Sequence, residues 1–119
     1  MRTNSRKLYA ALLLPLTALA GFAAGRQTAP TLTVKLDNTR VAVTESLTPA
    51  GGRRAPYTRP TDQVLVFLDD AEYESVDDAG KATARRRKSG DIVWHTKGES
   101  APLLVNKGQP YRNLIIALK

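Results

Sequence analysis

The chain has no cysteine and a single histidine among its 119 residues. Without cysteine it forms no disulfide, offers no thiolate to a metal, and cannot be a bacterial lipoprotein, whose lipid is attached to that residue. One imidazole cannot supply the several nitrogen or sulfur ligands that zinc, iron or copper requires. No serine sits in a strand-to-helix elbow and no glycine-rich loop opens a helix, which disfavours triad hydrolysis and nucleotide chemistry. The acidic pairs Asp69-Asp70 and Asp77-Asp78 lack the spacing of a calcium loop and read as solvated turn residues. After the N-terminal segment no window keeps a helical period, and nothing repeats.

What is present begins with a leader. Arg2, Arg6 and Lys7 precede an apolar run over residues 8–24, and small residues follow, the layout of a secretory signal. Ala18-Leu19-Ala20 favours a cut after Ala20, with a second option after Ala23. The run falls short of the ~20 apolar residues that span a bilayer, and Pro15 interrupts it, so no stable membrane anchor is expected after cleavage. Residues 1–20 are therefore expected to be a signal peptide, 21–30 a short flexible linker, and 31–119 one domain that is periplasmic or secreted. Removing the signal leaves 99 residues, with 15 basic and 11 acidic side chains. An excess of that size on an exported protein does not call for nucleic acid. The basic run Arg85-Arg86-Arg87-Lys88 follows a cluster of acids that includes Asp69, Asp70, Glu72, Glu74, Asp77 and Asp78, and reads as a mutually compensating, solvated hairpin surface.

The remainder reads as about eight strands. In TLTVKLD, Leu32, Val34 and Leu36 alternate with polar residues, the period of a half-buried strand. A second strand over 41–47 ends at Pro49, Gly51 and Gly52. Residues 63–68, QVLVFL, are apolar on both faces and predict the centre of the core. Strands over 72–76 and 82–87 flank the turn Asp77-Asp78-Ala79-Gly80, and further strands are expected over 91–95, 103–106 and 114–118. The residues alone point to a small all-β barrel or sandwich, closed so that few strand edges are exposed.

The stretch GDIVWHTKGESAPLLVN, Gly90 to Asn106, resembles the second signature motif of the cupin superfamily: Gly, five residues, Pro, one residue, Gly, two residues, His, three residues, Asn. Gly90 and Gly98 match. Thr96 stands for the proline, Ala101 for the histidine, and Asn106 arrives one residue late. The first cupin motif, counted from Gly51, places Tyr57 and Arg59 at the two histidine positions, Gln63 at the glutamate and Asp70 at the last glycine. The resemblance covers nearly all of the expected domain and implies a double-stranded β-helix, or jelly-roll. In metal-dependent cupins three imidazoles and a carboxylate converge on a divalent metal. Here the corresponding positions hold Tyr57, Arg59, Gln63 and Ala101, or Pro102 if the one-residue insertion falls earlier, so no metal and no other cofactor is expected. A guanidinium has no lone pair to donate, and alanine has no ligand atom.

What takes the metal's place in this reading is a polar cavity. Tyr57, Arg59 and Gln63 would present a phenol, a cation and an amide to a small anionic ligand, with Arg59 making a bidentate contact; the competing expectation is that Arg59 pairs with Asp62 or another carboxylate and closes the barrel end. Trp94 is expected in the core or lining the barrel, among the ligand-contacting residues. His95, with Tyr57 or Asp62 as partner, is the candidate acid–base group. Two functions follow: a metal-free binding or structural module, or a small isomerase-, epimerase- or lyase-like enzyme using Tyr57, Arg59 and His95. A homodimer through the strand over residues 31–37 is also expected, by analogy with other cupin-like chains.

Overall fold

Eleven strands and their connections account for residues 28–119, the part of the chain described by the computed structural model. The expected signal over 1–20, and all of the expected linker except its last three residues, lie outside the described residues. The strands are β1 (Thr31–Asp37), β2 (Val41–Thr48), β3 (Arg53–Arg54), β4 (Tyr57–Thr58), β5 (Gln63–Phe67), β6 (Ala71–Val76), β7 (Ala82–Arg87), β8 (Ile92–His95), β9 (Ser100–Ala101), β10 (Leu103–Asn106) and β11 (Tyr111–Leu118). The eight expected strands all occur. β11 starts three residues before its expected origin, and the two-residue strands β3, β4 and β9 are additional, being too short for a period to reveal.

The strands form a five-stranded sheet, β1-β2-β11-β5-β8, a four-stranded sheet, β3-β10-β6-β7, and the small pair β4-β9. The first two face one another. Phe67 and Tyr111 of the larger sheet meet Tyr73 of the smaller, with ring centroids 6.0–6.4 Å apart, and Ala71 and Val93 complete the cluster. Each such ring pair adds ~0.5–1.5 kcal/mol to the area it buries. The QVLVF strand lies where expected, with Leu65 and Phe67 turned inward.

Asn106 locks one end. Almost fully buried, it donates from Nδ2 to the carbonyls of Pro49 and Gln109 and accepts the Gly108 amide at Oδ1, so one side chain fastens two loops. Gly52 is needed beside it: a Cβ there would lie 2.7 Å from the Pro49 oxygen and 2.9 Å from that of Thr28.

The burial expected of β1 is corrected. Its seven residues are all exposed, with Leu32 and Val34 at 64% and 68%, because β1 is the outermost strand of its sheet. A bulge between Val34 and Leu36 shifts its register against β2, so alternation does not hold one face along its length.

The interior is unusual in its polarity. Ser46, Thr48, Arg59, Gln63, Asn106 and Asn113 are as deeply buried as the apolar core residues. Buried polar groups need partners, and Arg59 and Asn106 find several, whereas Arg54 Nε, Arg59 Nε and Asn113 Oδ1 are buried without a hydrogen bond.

Candidate functional site

β4 and β9 bring the two motif regions together. Tyr57 pairs with Ala101 and Thr58 with Ser100; beyond them the Arg59 amide donates to the Glu99 carbonyl at 3.0 Å, and the Gly98 amide to the Arg59 carbonyl at 2.8 Å. Gly98 turns the chain at φ +84°, a conformation that favours glycine, and this turn places Glu99 against Arg59. Ala101 thus stands beside Tyr57.

Arg59 is the centre of the arrangement. Only 4% exposed, it donates from Nη1 to Tyr57 Oη and to Gln63 Oε1, both at 3.0 Å. Its Nε is buried without a hydrogen-bond acceptor, and the nearest carboxylate oxygen, Glu99 Oε2, is 3.6 Å away. The same Glu99 oxygen lies 2.8 Å from His95 Nδ1. Arg54, from β3, is the second cation: its guanidinium lies 5.3 Å from the Tyr57 ring centroid, that of Arg59 5.4 Å, so one phenol serves both. Arg54 donates from Nη2 to the Pro102 carbonyl, and its Nε too is buried without a partner.

Arg54, Arg59 and His95 open onto a cavity of about 250 Å³ between the two large sheets, which Tyr57 does not line. Four arginines line it: Arg54, Arg59, Arg85 and Arg87. Among the described residues no aspartate or glutamate lines it. Leu65, Phe67, Leu104 and Tyr111 supply an apolar floor, and His95 reaches it from β8. Burial pushes the Arg54 pKa below its ordinary value, the Arg59 charge adding to the effect; burial also lowers His95, against the Glu99 hydrogen bond, and the Arg59 charge lowers it further.

The structure gathers Tyr57, Arg59, Gln63 and His95 in one constellation and leaves Trp94 out. Trp94 is 54% exposed on the outer face of β8, its Nε1 donating to Thr96 Oγ1 at 3.2 Å. The expectation that it lines the barrel is corrected: Ile92 and Trp94 share a face as alternation requires, but Val93 and His95 hold the inner one. Gln63 stands behind Arg59 as its acceptor and does not line the cavity. Asp62 pairs with neither Arg59 nor His95; it accepts the Lys97 amide, and Glu99 takes the role expected of it. The basic run is a solvated hairpin face over most of its length: Arg85, Arg86 and Lys88 are exposed, and Arg86 reaches Glu72 across the hairpin at 3.7 Å. Arg87 is half-buried and, with Arg85 on the same face of the strand, lines the cavity. Arg54, Arg85, Arg87 and Glu99 went unrecognised in the sequence, although alternation along β7 separates Arg85 and Arg87 from Arg86.

This donor set does not suit the divalent metal that the fold elsewhere holds. The position of greatest burial carries a guanidinium, the phenol and amide oxygens beside it already accept from that cation, and no three of His, Cys, Asp or Glu come together among the described residues.

No family model matches the sequence, and no curated protein does. Solved structures match in fold. A cupin domain from Bordetella pertussis Tohama I is 23% identical, with a TM-score of 0.69 over 76% of this chain and 94% of that one. The polyketide cyclase RemF from Streptomyces resistomycificus is 20% identical, with a TM-score of 0.61 over 75% of this chain and 64% of the cyclase. The DMSP lyase DddQ from Ruegeria pomeroyi DSS-3 is 18% identical, with a TM-score of 0.61; the match covers 76% of this chain but 47% of the lyase. At such identities the likeness is one of fold, the double-stranded β-helix.

Proposed function

We propose that this chain, a domain of the cupin fold, is an exported, metal-free module that binds a small anion in its arginine-lined cavity. One observation carries the reading: Arg54 and Arg59 line a cavity that no acidic side chain lines, the buried Nε of Arg54 has no acceptor, and that of Arg59 has no hydrogen-bond acceptor, only the Glu99 carboxylate at 3.6 Å. An unmet buried donor costs ~1–3 kcal/mol, and more when charged. A carboxylate at the cavity mouth would accept from both and offset that cost, arginine being suited to bidentate contact with such groups. The leader over residues 1–20 supports export.

The test is thermal denaturation of protein purified from the periplasm, titrated with carboxylates against chloride at matched ionic strength. A ligand at a hundred times its Kd stabilises the native state by about 2.7 kcal/mol. The expected outcome is concentration-dependent stabilisation by carboxylates that Arg59→Met abolishes. Absence of any such effect, or stoichiometric transition metal by elemental analysis, would count against the reading.

A second reading, of a small isomerase-, epimerase- or lyase-like enzyme, is favoured by the chain of contacts from Tyr57 through Arg59 and Glu99 to His95. The polyketide cyclase and the DMSP lyase share the fold. In this reading Arg59, with Tyr57 at its side, holds a carboxylate while His95, which lines the same cavity, exchanges a proton with the neighbouring carbon. It predicts solvent deuterium entering bound carboxylic acids, read by NMR and lost in His95→Asn; no exchange in any of them leaves binding as the activity.

A homodimer through β1 belongs to the same proposal. An outermost strand with Leu32, Val34 and Leu36 exposed is a surface that another chain can cover. Light scattering that finds only monomer at high concentration would remove it.

A further inference from the structure

The four cavity arginines form two groups. Arg54 and Arg59 meet at the Tyr57 ring near His95, their guanidiniums 5.3 and 5.4 Å from its centroid. Arg85 and Arg87 come from β7, at the opposite edge of the sheet that begins with β3. β10 and β6 lie between, so the backbones of β3 and β7 are three strand spacings apart, about 14 Å. This second group is less enclosed than the first, Arg85 being exposed and Arg87 half-buried. Arg87 lies 6.0 Å from the Phe67 ring centroid and makes one long hydrogen bond, 3.4 Å, to Tyr73 Oη; neither Arg85 nor Arg87 has a carboxylate within ion-pair distance among the described residues. The apolar floor of Leu65, Phe67, Leu104 and Tyr111 belongs to the same cavity.

A ligand with one anionic group satisfies one pair of guanidiniums and leaves the other facing an apolar tail. A ligand with an anionic group at each end satisfies both and lays its middle on the floor. Resting on the anion-binding reading above, we infer that the cavity takes an elongated dianion, of the class of α,ω-dicarboxylates, held head and tail by Arg54 with Arg59 and by Arg85 with Arg87. The cavity of about 250 Å³ is many times the ~10–15 Å³ that one water needs, which leaves room for a short spacer between the two heads.

Calorimetric titration of the full domain compares straight-chain dicarboxylates from succinate to suberate with monocarboxylates of equal carbon number. The expected result is a length optimum among the diacids, with affinity at least tenfold above the matching monoacid. Arg87→Gln should reduce the diacid to the affinity of the monoacid, Arg87→Lys should preserve a preference for two charges, and Arg54→Gln should weaken both ligand types. Circular dichroism of each variant establishes that it is folded. Monoacids that bind as tightly as diacids, or an Arg87→Gln variant that keeps its length optimum, would overturn the two-headed ligand and leave the anion site standing. Failure of every mono- and dicarboxylate to bind would instead remove the anion site itself.

Discussion

Replacing Arg54 with methionine distinguishes an arginine that holds the fold from one that awaits a ligand. In the protein as it stands, Arg54 donates to the Pro102 carbonyl, a charge-assisted hydrogen bond that contributes ~1.5–3 kcal/mol. Against this, its Nε is buried without an acceptor, at a cost of ~1–3 kcal/mol, and the Arg59 cation stands at the same ring. Contact with Tyr57 returns ~0.5–1 kcal/mol. Methionine keeps the apolar stem and removes both the bond and the burden. The terms nearly cancel, so Arg54→Met should change stability by no more than about 1 kcal/mol in buffer without carboxylate or phosphate, which for a domain of this size moves Tm by ~4–8 °C. The contrast comes with a ligand present. Carboxylate that stabilises the native protein should stabilise the variant less, a tenfold loss of affinity appearing as ~1.4 kcal/mol. Far-UV circular dichroism melts, with and without ligand, read both quantities. A loss above about 3 kcal/mol in plain buffer would make Arg54 a structural residue, and equal stabilisation of both proteins by ligand would place the anion elsewhere.

Other perturbations test the frame around the site. Asn106→Ala withdraws the partner of the Pro49 and Gln109 carbonyls and of the Gly108 amide at a buried point, and should cost about 3 kcal/mol or more in urea denaturation. Gly52→Ala drives a methyl group into the backbone oxygens of Pro49 and Thr28, neither of which can rotate away, and should cost ~1–3 kcal/mol by the same assay. His95 sets a pH dependence. Burial lowers its folded pKa, with the Glu99 hydrogen bond opposing, so the folded state binds its proton less readily than the unfolded chain. Its contribution is therefore full above the unfolded value of ~6.5 and is lost as pH falls from there towards the lowered folded pKa. Stability should decline across that window, and His95→Asn should flatten the decline. An anion beside Arg54 and Arg59 offsets their repulsion of the imidazolium, so ligand affinity should rise as pH falls from 7 to 6, with proton uptake measurable by calorimetry in buffers of different ionisation enthalpy.

How much of this was legible differs between strand and site. Residues 63–67 and 82–87 announce themselves because their composition and flanking turns suffice, whatever they face. Alternation groups residues by side but does not say which side is inward. Hence Ile92 and Trp94 are correctly paired with one another, yet the larger apolar pair faces out and Val93 with His95 faces in. β1 carries the period of a half-buried strand and buries neither side, since burial depends on what a sheet edge meets rather than on the strand's own pattern. The polar site was half visible. Tyr57, Arg59 and Gln63 lie close in sequence and stand at motif positions, whereas Arg54 joins them from a strand two residues long and Glu99 from a turn across the sheet pair. Arg87 was hidden by its neighbours: four consecutive basic residues read as one solvated surface, which Arg85, Arg86 and Lys88 are, and only the division of a strand into two faces shows that Arg85 and Arg87 share the side that borders the cavity.

The position of β11 bears on when this protein acquires its structure. It follows the other ten described strands in chain order and is the middle strand of the larger sheet, joined to β2 by eight residue pairs and to β5 on its other side. Without it, β1 with β2 and β5 with β8 are separate strand pairs with no common partner, and an isolated two-stranded pair is marginal in water. Pairings so distant along the chain also form slowly. The larger sheet therefore closes only when β11 docks, and a substitution that unpairs β11 releases both of its halves together rather than one of them.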